Sequence, residues 1–322
     1  MDLEQLENAR KKYAKKIKIA IIVALAIMAA TYYLLFAAND VYVNKASNIS
    51  SFAKYFWIGF LIVAVIVIIF AVYAHKDSVN YKKLYKAYFV ERSLKQTFTD
   101  IYYDHNKGMP IEALKYTGMI YTGNVYSSND YFTGKYHDVA LSQADVHIQV
   151  RRSSSDGDTY TTIFKGRWMI FEFPKPFSFR LQVVSKRFAA SKKLSISSTN
   201  KREIEQISTE SPTFNRKFKV YAEDGFEAFY ILDPAFIDNI EKLSDKHKGK
   251  LLLCFNDNKL SVGIDDRTDA FEPPNALRRI DEAKETNRVS QDIKSITDFV
   301  DFLKLDHKLF KTNQGAKWIS SH

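Results

Sequence analysis

Residues 56–74 read FWIGFLIVAVIVIIFAVYA, a run without a single charge. A helix needs roughly 20 apolar residues to cross the hydrocarbon core of a bilayer, and this run has that length. No water in lipid satisfies backbone polar groups, so a spanning segment of this kind must be helical. Upstream, residues 17–38 read IKIAIIVALAIMAATYYLLFAA, with Lys18 at the edge as the one charge. The two runs predict an N-terminal transmembrane hairpin with helices over 17–38 and 56–74. A cleaved signal peptide has a shorter apolar stretch and a small-residue cleavage site, and no such site precedes Asn39. A buried helix of a soluble core keeps a polar face, which both runs lack. Tyr32 and Tyr33 end the first run, Tyr55 and Trp57 open the second, and Tyr73 closes it. Amphipathic rings at these places form the expected interfacial belt.

Cationic residues set the orientation. Six precede or open the first run (Arg10, Lys11, Lys12, Lys15, Lys16, Lys18), and only Lys45 and Lys54 lie in the 39–55 loop. Lys76, Lys82, Lys83, Lys86, Arg92 and Lys95 follow the second run. Positive flanks stay in the cytoplasm. The expectation is a multi-pass protein of the inner membrane with both termini cytosolic and residues 39–55 outside. Asn48-Ile49-Ser50 in that loop fits a glycosylation acceptor, a short and unspecific pattern. No acid, His or Arg lies at mid-membrane, which reads as attachment and not as a transport path. Ala20/Ala24 and Ala26/Ala30 give small residues at a four-residue spacing, which lets helices pack closely.

The chain then divides into a basic segment (1–16), the hairpin (17–74), a juxtamembrane helix (75–107) and an α+β cytosolic domain (108–322). Asp77 or Ser78 can cap a helix carrying Tyr81, Leu84, Tyr85 and Tyr88 on one face, read over 78–104. Strict alternation follows. Val146, Ile148 and Val150 alternate with Asp145, His147, Gln149 and Arg151, as do Phe177, Phe179, Leu181 and Val183 with polar neighbours. Period two with one apolar face predicts half-buried, mainly antiparallel strands. A further strand is expected over 161–173 with Gly166 as a bulge, and a hairpin over 251–264 turning at Asn256-Asp257-Asn258. Helices are expected over 235–245, with Pro234 in the first turn, and over 290–305.

The net charge is +10 and there is one cysteine, Cys254. Eight cations against four acids put +4 in residues 1–74 and leave +6 to the rest. A lone cysteine excludes an internal disulfide and suits a reducing compartment. Within the apolar stretch 251–255 it reads as a small buried hydrophobe.

Three blocks carry a resemblance. They are 129–135 (NDYFTGK) leading to 143–147 (QADVH); 163–168 (IFKGRW) closed by 173–177 (FPKPF); and 214–222 (FNRKFKVYA) followed by 227–228 (EA) and 231–234 (ILDP). With the hairpin, they resemble a bacterial domain-of-unknown-function family of two-helix membrane proteins often encoded near LemA-type proteins. The resemblance implies membrane location and an α+β soluble domain, names no activity or cofactor, and suggests a LemA-type partner. Many members carry Glu at the place of Asp145, and either acid fits an interaction or structural role.

Catalytic signatures are missing. The seven histidines form no ligand pair, and no nucleophile elbow, P-loop or dinucleotide fingerprint occurs. The best acidic constellation is Asp130, Asp138 and Asp145 with His137 and His147, groups able to bind metal or move protons. Asp130 and Asp138 equally suit turns, His147 a strand surface, and Asp265-Asp266 a loop. The second constellation is basic: Lys186, Arg187, Lys192, Lys193, Lys201 and Arg202, with no acid among them. It reads as a solvated loop or as a contact for anionic lipid headgroups; nucleic acid is disfavoured because no binding motif accompanies it. The expected function is non-enzymatic: a membrane-anchored protein whose cytosolic domain engages a protein partner or the membrane surface. The alternatives are a membrane-bound enzyme or metal-binding protein using the acidic cluster, and an oligomeric two-span pore.

Overall fold

The computed structural model describes residues 2–42, 49–155, 157–177, 179–191, 204–247 and 249–305, except the side chains at 34–42, 49–56, 59 and 189–191. The Asn48 acceptor, Lys45, Lys192, Lys193, Lys201 and Arg202 lie outside the described residues. The chain forms two compact units: Met1–Val90 with Glu272–Glu285, and Glu91–Phe271 with Thr286–His322.

The first unit is built on two long helices, α1 (Leu3–Tyr42) and α2 (Ile49–Tyr85), followed by one π turn at Lys86–Val90. Both exceed the expected spans. Residues 39–42 and 49–55, read as loop, are helical, and α2 runs through Asp77 without a new start. Residues 60–107 contain neither Gly nor Pro, so nothing there interrupts a helix once formed. Asp77 caps nothing and instead faces Lys16 (2.6 Å) and Lys12 (3.4 Å). Lys16 also donates to the Tyr73 carbonyl at 3.0 Å and lies 3.5 Å from the centre of the Tyr73 ring. Tyr13 and Tyr81 bring their rings to 6.4 Å. These contacts fix α1 and α2 as an antiparallel pair. Beyond that point Ile21, Ile22, Leu25 and Met28 on α1, and Leu61, Ile68, Ile69 and Val72 on α2, are exposed. Among the described residues, one helical stretch, Phe60–Thr97, is long and apolar enough to cross a membrane.

Residues 272–285 are strapped across the polar end of this pair. The Glu272 carboxylate meets Lys82 at 2.7 Å and Lys86 at 3.2 Å. Tyr81 donates to the Pro274 carbonyl (3.2 Å), Arg10 to that of Ala276, Tyr88 to Glu282 (2.6 Å) and Tyr85 to Glu285 (2.8 Å). Burial would raise the Glu272 carboxyl, but Lys82 and Lys86 outweigh it and hold it below the usual range.

The second unit opens with α3 (Glu91–Thr97) and β1 (Thr99–Asp104), and continues with α4 (Ile111–Lys115), β2 (Val125–Tyr136), β3 (Val139–Ser154) and β4 (Gly157–Glu172). Next come β5 (Leu181–Ser185), α5 (Lys186–Ser191), β6 (Glu205–Ile207), α6 (Pro212–Lys217), β7 (Phe218–Ala222) and α7 (Gly225–Ile231). The last elements are α8 (Pro234–Lys246), β8 (Lys250–Asn256), β9 (Lys259–Asp265) and α9 (Glu282–Leu303), whose first turn belongs to the first unit. The juxtamembrane helix thus ends at Thr97 and not at Asp104: β-branched and aromatic residues in TDIYYD favour the pleated surface. The strand expected from Phe177 begins only at Leu181, and α9 starts eight residues before the expected Ser290.

Among the described residues the strands form one nine-stranded sheet in the order β1-β2-β3-β4-β9-β8-β5-β7-β6, and every neighbouring pair is antiparallel. The β8–β9 hairpin is inserted between β4 and β5. One face carries the apolar core of Ala144, Val146, Ile148, Phe164, Trp168 and Cys254, covered by Leu114 of α4 and Phe188 of α5. The opposite face meets α9, where Phe171 and Phe299 approach to 6.4 Å. The α+β class and the antiparallel sheet agree with the sequence.

Candidate functional site

Strand β3 sends Gln143, Asp145 and His147 to the α9 side of the sheet, by the period of two that sends Ala144, Val146 and Ile148 to the core. Asp145 pairs across with Asn129 of β2 and Arg167 of β4. Beside it the β2–β3 register shifts, since Asn129 opposes Asp145 but Phe132 opposes Gln143. Asp130 sits in this bulge with φ at 54°, a left-handed conformation that Asp tolerates better than most residues. A bulge re-aims side chains, and it buries the Asp130 carboxylate completely. Tyr103 donates to Oδ1 of Asp130 at 2.6 Å and the Asn129 amide to Oδ2 at 2.7 Å.

Asp269, on the loop after β9, completes the group. One carboxylate oxygen from each of Asp130, Asp145 and Asp269 lies within 4.8 Å of the others; the first two residues are buried and the third is exposed. Asp145 is 3% exposed, and neither of its oxygens has a hydrogen-bond donor among the described residues. Its polar neighbour is the Asp269 carboxylate, and a bond between two carboxyl groups requires that one hold a proton. Burial pushes the Asp145 carboxyl well above the usual range, the Asp269 bond and the charges of Asp130 and Asp269 add to this, and Arg167 opposes it. The Arg167 guanidinium is engaged elsewhere: with the Asp292 carbonyl (3.1 Å), with Ser295, and with Asp266 (3.6 Å). Gln143 is fully buried, and neither amide atom has a partner among the described residues. Three carboxylates are hard oxygen donors, suited to a cation or to a shared proton.

Only part of the expected acidic constellation assembles. Asp130 and Asp145 come together. His137 and Asp138 do not join them: both have positive φ and form the two-residue turn between β2 and β3, as primed hairpin turns require. His137 stacks on Tyr136 (4.1 Å) and its Nδ1 lies 3.8 Å from Asp301. His147 is half-buried with Nε2 3.2 Å from the Thr162 hydroxyl; burial, then Lys165 and Arg267, lower its pKa. Asp265 ends β9, accepting from the Lys165 amide at 3.0 Å. Asp269 and Gln143 were missed by sequence reasoning; three acids within 265–269 were the available signal for the first. Tyr32, Tyr33, Trp57 and Tyr73 are exposed on their helices, and Tyr55 lies in α2 with its side chain outside the described residues. Lys186 and Arg187 are exposed at the start of α5. Cys254 is buried and its thiol is pushed up to about 12, so it is inert.

Residues 162–305 match the model of a protein family of unknown function, DUF3137. The matched stretch contains Asp269 and Arg167 but neither Asp130 nor Asp145. No curated protein matches the chain. A crystal structure of the mycobacterial trehalose monomycolate transport factor A is similar at 10% identity and a TM-score of 0.37, over 70% of this chain and 94% of that one.

Proposed function

We propose that the chain is a two-span protein of the bacterial inner membrane, with both termini cytosolic, whose α+β domain acts by binding and not by turnover. The observation that carries this is the antiparallel α1–α2 pair, closed at its polar end by Lys16 and Asp77 and covered beyond it with exposed aliphatic side chains. Contiguous exposed apolar surface of this extent suits lipid. Neighbouring subunits of a pore would cover part of it, but no ionisable residue lines either run at mid-depth. The cationic flanks put both ends on the same side. For partners, the domain has a membrane protein of the LemA type, suggested by the resemblance, or anionic headgroups met by the basic stretch beginning at Lys186 and Arg187.

Cysteine labelling tests the topology, because buried Cys254 gives a silent background. Ser47→Cys should react with a membrane-impermeant maleimide on intact spheroplasts, and Glu4→Cys only after permeabilisation. Labelling of both positions on intact spheroplasts would overturn the cytosolic N-terminus. Crosslinking in the native membrane then identifies the partner, and a crosslink to lipid alone would favour the surface over a protein.

A further inference from the structure

We propose that Asp130, Asp145 and Asp269 bind a hard divalent cation, with Ca²⁺ or Mn²⁺ as the fitting ions. The cluster is more than a coincidence of acids, for two reasons. Asp145 is only 3% exposed, yet among the described residues neither of its oxygens has a donor other than a carboxyl group, Asp269. Two residues along the same strand face, fully buried Gln143 also has both amide atoms without a partner among the described residues. A buried polar group without a partner costs free energy, and a buried carboxylate costs more. Two buried side chains without partners among the described residues, on one face of one strand and with Asp145 inside the acidic group, mark a place where a ligand belongs.

The chemistry narrows that ligand. All available donors are oxygens, with no thiolate and no imidazole in the group of three; this favours Ca²⁺, Mn²⁺ or Mg²⁺ over Zn²⁺. Two oxygens on opposite sides of a Ca²⁺ ion, each at ~2.4 Å, stand about 4.8 Å apart, and the three carboxylate oxygens fall within that span. The support around the ligands is also in place. Tyr103 and Asn129 hold the Asp130 carboxylate from behind, as the outer partners of metal ligands do. Arg167, the cation facing Asp145 across the strands, spends its Nη atoms on α9 and Asp266. Asp269 on its exposed loop leaves the site open to solvent for entry.

The competing occupant is a proton shared by Asp145 and Asp269, and titration of the full chain in detergent separates the two. After chelator treatment at neutral pH, Ca²⁺ and Mn²⁺ should each bind with one-to-one stoichiometry in calorimetry. Asp269→Asn, on an exposed loop where folding is not at risk, should weaken binding by ~10-fold or more, and Tyr103→Phe by ~10-fold. Asp145→Asn should abolish it while circular dichroism stays unchanged. Absence of saturable binding at millimolar Ca²⁺ and Mn²⁺ would overturn the proposal in favour of the shared proton. So would wild-type affinity in Asp269→Asn.

Discussion

At Asp145 the sign of the pH dependence is opposite to that of most carboxylates. Its folded pKa is raised, mainly by burial. Its contribution to stability is therefore complete below the unfolded value of ~3.9 and is lost as pH climbs toward the folded value. In chelator, the denaturation midpoint of the wild type should fall with rising pH more steeply than that of Asp145→Asn. Toward alkaline pH the Asn variant should become the more stable of the two, since it has no buried carboxyl to ionise. Saturating Ca²⁺ should reverse that order. His247 works on the acid side. Burial first, then Arg167, lowers it from 6.5 to about 4, so its contribution is present above pH 6.5 and lost as pH falls toward 4. His247→Phe, which keeps a ring against Phe299 at the present 5.3 Å stacking distance, should flatten the acid limb of the same profile. Two of the three acids of the site, Asp130 and Asp145, were legible in the sequence. Asp145 stood out as an acid in an alternating strand, but the partner it needed came from a loop more than a hundred residues away. Chain distance of that kind leaves no periodic trace.

Strands and helices were legible where one pattern held along a whole element, and illegible where a local device broke it. Strand β2 went unread because its bulge at Asp130 interrupts the period of two, and it is this interruption that builds the site. The early turns of α9 went unread because 282–289 are polar apart from Ala283 and Val289 and show no apolar stripe. Gly166 is not the expected bulge: it is in register opposite Val146, the β3–β4 register shift falls at Ile163, and the structure gives Gly166 a stricter job. It has φ at 153°, and an added Cβ would stand 2.0 Å from the Ile264 carbonyl oxygen. That oxygen belongs to the neighbouring strand β9, whose backbone cannot withdraw without breaking the β4–β9 pairing. Gly166→Ala should destabilise the second unit by about 3 kcal/mol in chemical denaturation. It should also weaken Ca²⁺ binding, since the displaced strand carries the loop bearing Asp269.

At the scale of the whole chain, a segment late in the sequence folds with its beginning. Residues 272–285 lie within the stretch matched by the family model, yet their contacts are with α1, α2 and the π turn of the first unit. Nothing in the local sequence announces this; EPPNALRR reads only as a connector. The hold is by charge and tyrosine hydroxyls: Glu272 on Lys82 and Lys86, and Tyr81, Tyr85 and Tyr88 on their acceptors. Only Ala276 and Ile280 of its apolar residues are buried, and most of the segment is partly or fully exposed, so local opening without global unfolding is expected. Arg278 and Arg279 are exposed upon it, so trypsin reports the opening. Glu272→Gln removes the charge that both lysines share. Losing about 1.4 kcal/mol of charge-assisted bonding raises the open population, and with it cleavage after Arg278 or Arg279, by ~10-fold when opening is fast relative to cleavage. Mass spectrometry of the first fragments, with detergent-solubilised full chain at low salt, measures the change. Cleavage at the wild-type rate would mean that the tyrosine and Arg10 bonds and the buried Ala276 and Ile280 hold the strap without the Glu272 charge. High salt should narrow the gap between the two proteins, since partly exposed ion pairs are screened while the tyrosine bonds are not.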